Sequence, residues 1–326
     1  MNKNLLHSLA ILTLVLSAGR CELLTAQSGN IKESGTELLD LHHELALAHP
    51  HADSPQAPEP DPDPVTEGMA KTKGYEFRSI DYPGEDLSLV YDFNGKIAVG
   101  SAGADAFTLK GSSYVLLNVP GAEASSAVGI NTSGKIVGYY RGSSSAVHGF
   151  LYDGSRYTTI DYPGSASTYA WDINDTGVIV GYYTDSNGFD HGFLNHNGTS
   201  TAINFPGAND TYAYGINSSG DIVGFYGDSG QGGNGHGFLL SNGVYSSFDA
   251  PFANATVAQG INDAGAIAGY YDANFIPHGF TYAGGVFTTV DVSGAQATEL
   301  WRIKNSGNVV GVAVDSLGEY HGIIGK

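Results

Sequence analysis

Histidine recurs in this 326-residue chain at one place in a repeating pattern, and thirteen residues after it stands an acid or an amide. His148 is followed by Asp161, His191 by Asn204, His236 by Asp249 and His278 by Asp291. Asp105 and Asn118 hold these two places at the start of the pattern, and Asp81 and His321 stand unmatched at its ends. An imidazole beside a carboxylate is what general-base catalysis uses, because the acid orients the ring and stabilises its cation. Five histidines argue for another use, since an active site is normally single. The pairs are expected to be structural, fixing strand register and loop geometry through hydrogen bonds. Around a hairpin turn at 153–156, residues whose numbers sum to 309 face each other, which sets His148 against Asp161. His321 meets Asp81 only if the two ends of the pattern come together.

A second set of residues varies where its surroundings repeat. One column reads Tyr91, Val128, Trp171, Tyr214, Gln259 and Trp301; the next reads Asp92, Gly129, Asp172, Gly215, Gly260 and Arg302. Variation at equivalent places is where a ligand-specific surface can arise. Aromatic faces beside carboxylates and an arginine suit a sugar or a peptide, so Tyr91, Asp92, Trp171, Asp172, Tyr214, Trp301 and Arg302 are the ligand-binding candidates. The favoured reading is nevertheless that these rings pack between neighbouring repeats, because aromatics serve cores more often than sites. No catalytic residues are assigned. There is no Gly-x-Ser-x-Gly elbow, no His-Glu-x-x-His, no phosphate-binding loop and no sialidase-type aspartate box. No metal site and no cofactor is expected: Cys21 is the only cysteine, and the Asn-Asp-x-Gly turns lack the further acids of an EF-hand calcium loop.

The elements that must position these residues repeat with them. The glycine that closes each Ile-Val-Gly-like run falls at Gly100, Gly138, Gly181, Gly224, Gly269 and Gly311, in steps of 38, 43, 43, 45 and 42. Each copy holds four strand-length runs rich in Tyr, Val, Ile and Thr. Asn131-Thr-Ser-Gly134, Asn174-Asp-Thr-Gly177, Asn217-Ser-Ser-Gly220 and Asn262-Asp-Ala-Gly265 read as hairpin turns, opened by an Asn side chain and ended by a glycine at positive φ. In the first copy the turn shrinks to Asn94-Gly95. Asp153-Gly154 and Asn242-Gly243 mark a second hairpin. Four antiparallel strands recurring about every 43 residues predict an all-β fold, a six-bladed β-propeller of four-stranded repeats over 75–326. Its first strand, Tyr75–Tyr82, would join the last blade and close the ring. The Ala170–Ile173 type of strand would lie innermost, with the second, variable set at the mouth of the central channel.

Composition agrees. Glycine supplies 46 residues and tyrosine 20, while 14% of residues are charged, which excludes collagen, coiled coil and a wholly disordered chain. The net charge of −19 disfavours nucleic acid as a partner. Residues 1–26 read as an export signal: Lys3, then an apolar stretch from Leu5 to Leu16, then Ser17, Ala18 and Gly19. Arg20 sits where lipidation of Cys21 would need a small residue. Residues 27–74 read as an acidic, proline-rich linker with a short helix at 37–48. His42, His43, His49 and His51 there read as solvated side chains. With that signal a secreted, extracellular or periplasmic protein is expected, as a monomer; no segment after the signal is apolar enough to span a bilayer.

With Ile-Asn-x-x-Gly-x-Ile-Val-Gly followed by His148-Gly149-Phe150, His191-Gly192-Phe193, His236-Gly237-Phe238 and His278-Gly279-Phe280, the repeat resembles the bacterial extracellular HAF repeat. Glycine replaces the family's alanine in these four copies. The triad degrades to Asp105-Ala106-Phe107 at the start and to His321-Gly322-Ile323 at the end. The resemblance covers 75–326 and implies a secreted or surface β-propeller, without catalytic residues or a defined ligand. The function expected is a ligand-binding or scaffold module for carbohydrate or peptide. The alternative is an extracellular hydrolase or lyase with its carboxylates at the channel mouth.

Overall fold

In a computed structural model of the chain, residues 74–85, 87–227 and 235–326 are described. The expected signal at 1–26, the helix at 37–48 and the linker, apart from Gly74, lie outside the described residues. The described residues are all-β, with twenty-four strands numbered here β1 to β24 in chain order. The third sequence repeat shows the unit: β10 (Ser167–Ile173), β11 (Ile179–Thr184), β12 (Asp190–His196) and β13 (Thr199–Ile203) form an antiparallel sheet in that order. The other repeats follow the same order. Two single parallel bridges, Gly235↔Ala255 and Ser88↔His321, link neighbouring repeats.

The first strand of each repeat is the buried one. These are β2 (Ser88–Phe93), β6 (Ala124–Ile130), β10, β14 (Asp210–Ile216), β18 (Ala255–Ile261) and β22 (Ala297–Ile303). Each contacts the first strand of the next repeat, and β22 contacts β2. Burial on both faces explains why they read as mixed small and aromatic runs rather than strict alternation. The fourth strands, such as β9 (Tyr157–Ile160), are largely exposed. Phe107, Phe150, Phe193, Phe238 and Phe280 are fully buried, one in each of the first five repeats, and Ile323 takes the same place in the sixth.

Every first strand carries a β-bulge at the same place, between Val90 and Asp92, Ala127 and Gly129, Ala170 and Asp172, Ala213 and Gly215, Ala258 and Gly260, and Leu300 and Arg302. A bulge sets two residues against one and bends the strand. The residue it leaves unpaired is the Tyr91–Trp301 column. The bend also explains the glycine of the Ile-Val-Gly run. A Cβ on Gly224 would collide with the Tyr212 carbonyl oxygen and crowd the Phe238 ring, and the same holds at Gly181 with Tyr169 and Phe193.

The turns behave as their sequences imply, with one displacement. Gly134, Gly177, Gly220 and Gly265 have φ of 85°, 84°, 86° and 76°. In the first repeat, however, Asn94 still pairs with Ile97, so the two turn residues are Gly95 and Lys96 rather than Asn94 and Gly95. Positive φ at Gly95, the first central residue, has the sign of a II′ turn. A second departure occurs where four other repeats have Pro-Gly. Repeat five has Pro251-Phe252, and Phe252, 99% exposed, takes a positive φ of 65° where the glycines of those four have 80–86°.

The ends of the repeating segment meet. β1 (Phe77–Ile80) pairs antiparallel with β24 (Tyr320–Gly325), Ile80 opposite Gly322, and Glu76 and Lys326 exchange two backbone hydrogen bonds of 2.9 and 3.1 Å. β24 pairs in turn with β23 (Val309–Val314), so β1 is the fourth strand of the sheet begun by β22.

Candidate functional site

The six bulges converge, and their convergence decides what the variable columns do. Tyr91, Val128, Trp171, Tyr214 and Trp301 belong to one buried cluster with Tyr139, Tyr182, Phe225 and Tyr270. Tyr91 stacks on Trp301 at 4.8 Å, and Trp171 lies 5.3 Å from Tyr214. The Trp171 indole N–H donates to Gln259 Oε1 at 3.3 Å, and that of Trp301 to Glu299 Oε2 at 3.2 Å. Burial pushes the Tyr91 hydroxyl up to about 12. The aromatic candidates Tyr91, Trp171, Tyr214 and Trp301 are therefore not an exposed binding face, because each is buried to 6% exposure or less. The apolar area of each ring is spent against its neighbours.

The bulge also turns carbonyls inward, and one arginine collects them. Arg302 is 3% exposed. Its Nη1 donates to Gln259 O at 3.1 Å and Trp301 O at 2.9 Å, and its Nη2 to Val128 O at 3.1 Å and Trp171 O at 2.8 Å. One planar fork thus ties together four repeats, which a lysine's point charge could not do. Nε lies 3.9 Å from Asp92 Oδ2 and 3.8 Å from Asp172 Oδ1. These two acids are committed as well. Asp92 accepts from Ile130 N at 2.9 Å, and Asp172 from Ile216 N at 3.0 Å, each bond reaching into the next repeat. Lys304 Nζ pairs with Asp92 Oδ1. Desolvation holds the Asp172 carboxyl above its usual range; Arg302 pulls it back and Asp92 opposes that pull.

The glycines in this column now have a cause. A Cβ on Gly129 would press on the Asp172 backbone, one on Gly215 on Gly260, and one on Gly260 on Arg302. Six strands meet where there is space for one large side chain. Arginine fills it from one repeat, aspartates neutralise it from two, and glycines make room in three. Of the sequence candidates, Asp172 and Arg302 line one cavity, at its floor, while Asp92 is fully buried.

That cavity, of about 310 Å³, is the mouth formed by the first hairpin turns of all six repeats. Its wall is a relay of asparagines. Asn94 Nδ2 donates to Asn131 O at 3.0 Å, Asn131 to Asn174 O at 3.2 Å, Asn174 to Asn217 O at 3.0 Å, Asn217 to Asn262 O at 3.3 Å and Asn262 to Lys304 O at 3.3 Å. Lys304 stands where the sixth asparagine would be and returns the relay to the first repeat through Asp92. Meanwhile each Asn Oδ1 caps its own turn, as Asn174 does for Val178 N at 3.0 Å. Sequence reasoning found the capping half and missed the inter-repeat half. The signal was present: a Gly or Pro starts turns too, yet this position is Asn in five repeats. Outside the relay the rim offers Thr132, Asp175, Ser218, Asp263 and Asn305. Asp175 accepts from Thr132 N at 2.9 Å, and Asp263 from Ser218 N at 2.9 Å.

The histidine column lies on the third strands, away from this mouth. His148 Nδ1 lies 3.0 Å from Asp161, His191 Nδ1 3.0 Å from Asn204, His236 Nδ1 2.9 Å from Asp249 and His278 Nδ1 2.9 Å from Asp291. His321 Nδ1 lies 3.4 Å from Asp81, across the junction of β24 with β1. Tyr140, Tyr183, Tyr226 and Tyr271 lie against the rings of the first four at 5.2–5.4 Å. Each ring is thus held on one edge by its partner and on one face by a tyrosine.

No protein-family model matches the chain, and no curated protein sequence matches it. Among solved structures it is similar to a putative TolB from Agrobacterium tumefaciens, at 10% identity over 73% of this chain and 89% of that one, with a TM-score of 0.54. It is also similar to a mutant of AofleA from Arthrobotrys oligospora, at 14% identity over 77% and 86% of the two chains and a TM-score of 0.49. A third is the β-propeller domain of the Trilobed protease from Pyrococcus furiosus, at 10% identity over 74% and 93% and a TM-score of 0.47. At these identities the likeness is one of fold. Four-stranded sheets with their first strands converging are of the β-propeller type.

Proposed function

We propose that the chain is a six-bladed β-propeller, closed by β1 as the outermost strand of the last blade, and that it serves as a binding or scaffold module. It belongs by its repeat with extracellular HAF-type proteins and acts outside the cytoplasm. Its binding face is the Asn-lined mouth. The observation that carries this reading is the mouth itself. It is a concave cavity of about 310 Å³ to which all six repeats contribute turns, with isoleucines as well as asparagines, aspartates and hydroxyls in its lining, at the lower end of the range of small-ligand sites. Its polar groups are hydroxyls, amides and the Asp175 and Asp263 carboxylates, which hydrogen-bond to one another across the turns and keep further lone pairs, and they suit a neutral polar ligand such as a carbohydrate or a peptide. The acidic chain as a whole does not suit nucleic acid.

A hydrolase or lyase reading has one observation in its favour, a floor carboxyl, Asp172, whose ionisation is pushed up by burial. Against it, both Asp172 oxygens already accept backbone N–H groups, from Ile173 at 2.8 Å and Ile216 at 3.0 Å. A carboxyl so engaged is poorly placed to shuttle a proton. The test is a carbohydrate and peptide array probed with the full chain and with Ser218→Trp, which puts an indole in the mouth. Binding by the wild type that the variant loses is expected. Binding retained by Ser218→Trp would move the site elsewhere. Turnover of a bound compound that Asp172→Asn abolishes would replace this reading with the enzymatic one.

A further inference from the structure

His321 differs from the other four histidines in what faces both of its ring nitrogens. Nδ1 points at the Asp81 carboxylate at 3.4 Å, and Nε2 lies 3.6 Å from Asp315 Oδ2. Glu319 reaches the same spot, so that one ligand atom from each of Asp315, Glu319 and His321 lies within 4.8 Å of the others. An ionised carboxylate only accepts hydrogen bonds, so Asp81 selects the Nδ1–H tautomer. That leaves a lone pair on Nε2 aimed at two anionic groups. At 3.6 Å the Nε2–Oδ2 gap is longer than a hydrogen bond. It is close to the roughly 3.4 Å between two ligands about 2.1 Å from one tetrahedral ion. A carboxylate on the far nitrogen of a ligating imidazole is also the usual outer-shell arrangement of metal-bound histidine.

Repeat three provides an internal comparison. Its hairpin has the same frame, Asp185 for Asp315 and His191 for His321, with Nε2 3.5 Å from Asp185 Oδ2. There Phe189 stands in place of Glu319, Asn204 in place of Asp81, and the Asn187 amide takes Asp185 Oδ2 at 3.2 Å. In both hairpins the other aspartate oxygen, Oδ1, caps the turn, accepting Leu317 N and Glu319 N at 2.7 and 3.0 Å in repeat six. The turn therefore accounts for the aspartate in both repeats. It does not account for Glu319, or for Leu317 replacing the competing amide.

We infer that Asp315, Glu319 and His321 form a binding site for a divalent transition-metal ion of the zinc type, oriented from behind by Asp81. One imidazole and two carboxylates suit such an ion; calcium and magnesium take oxygen ligands alone. Three protein ligands leave positions for water. Because Asp81 follows β1 and His321 lies on β24, the ion would steady the junction between the two ends of the repeating segment. The site is separate from the mouth and does not depend on what the mouth binds.

The test uses the full chain, stripped with a chelator and titrated calorimetrically with zinc chloride at neutral pH. Wild type is compared with Glu319→Gln, an exposed position where the fold has little to lose. Zinc taken up by histidines elsewhere in the chain is common to both and cancels in the difference. Glu319→Gln is expected to lose one equivalent, or to weaken it by about tenfold or more. Equal stoichiometry and affinity in the two proteins would overturn the assignment. Phe189→Glu combined with Asn204→Asp and Asn187→Leu rebuilds the set in repeat three and is expected to gain one equivalent. A folded triple variant that gains none, with circular dichroism unchanged, would overturn the three-ligand rule on which the site rests.

Discussion

The axis and the rim of this molecule use their equivalent positions in opposite ways. At the rim each repeat uses nearly the same parts: a histidine, its acid or amide thirteen residues on, and a tyrosine against the ring. Each rim pair is half-exposed and independent of the others, and all but His321 with Asp81 lie within one hairpin. At the axis the equivalent positions hold different residues, because they are not independent. Arg302 excludes any other large side chain, and its charge calls for Asp92 and Asp172. Repetition marks contacts made once per repeat. Variation within a repeat marks a contact made once for all of them, and that need not be a ligand site.

The largest consequence of this difference falls on Arg302. Arg302→Met removes four hydrogen bonds to carbonyls and leaves two buried aspartates short of a cation. Removing one partner of a buried charged network costs about 3–5 kcal/mol. His148→Ala removes one exposed pair and should cost about 1 kcal/mol or less. Urea unfolding of both variants measures the gap. Equal losses would break the distinction between axis and rim.

The same contrast shows what was legible in the sequence. The strands, turns, repeat length and facing of His148 with Asp161 follow from local rules of period, turn chemistry and antiparallel register, which act within one hairpin. The pairing of β1 with β24 was also readable, because an unmatched acid at one end answered an unmatched histidine at the other. At the axis two readings stood open, a ligand face and packing between repeats, and the buried rings take the second. Whether Trp171 faces a ligand or Gln259 depends on six bulges meeting, and nothing within one repeat records that the six share a single space. The asparagine relay was half legible for the same reason: Oδ1 acts within the turn, while Nδ2 acts between turns.

A smaller effect tests whether glycine in the second strand answers the axial bulge. Gly224→Ala places a methyl group against the Tyr212 carbonyl oxygen, where only backbone could yield. Overpacking of this kind costs about 3 kcal/mol. Gly220, four residues earlier, meets nothing within reach of an added Cβ, and alanine there bears only the left-handed φ of 86°. Gly220→Ala should therefore cost about 1 kcal/mol. Thermal unfolding midpoints in that order would tie the Ile-Val-Gly motif to the bulge; the reverse order would reduce its glycine to a turn accessory.

The smallest effect concerns one residue type in two settings. At the mouth, Asp263 is held below the usual carboxylate range, chiefly because it accepts the Ser218 N–H. At the floor, Asp172 is held above that range by desolvation. A lowered carboxyl stabilises the fold fully above its unfolded value of about 4, and that contribution is lost as pH falls through the folded value. A raised carboxyl does the reverse: its contribution is fullest below the unfolded value and declines as pH rises through the folded one. Stability measured by urea unfolding from about pH 2.5 to 6, wild type minus Asp263→Asn, should therefore increase with pH by a few tenths of a kcal/mol, a size set by solvent screening at an exposed site. Wild type minus Asp172→Asn should decrease over the range in which Asp172 ionises. Slopes of the same sign would mean that the floor of the mouth is as well solvated as its rim, and that Arg302 sits in water rather than in a dry hub.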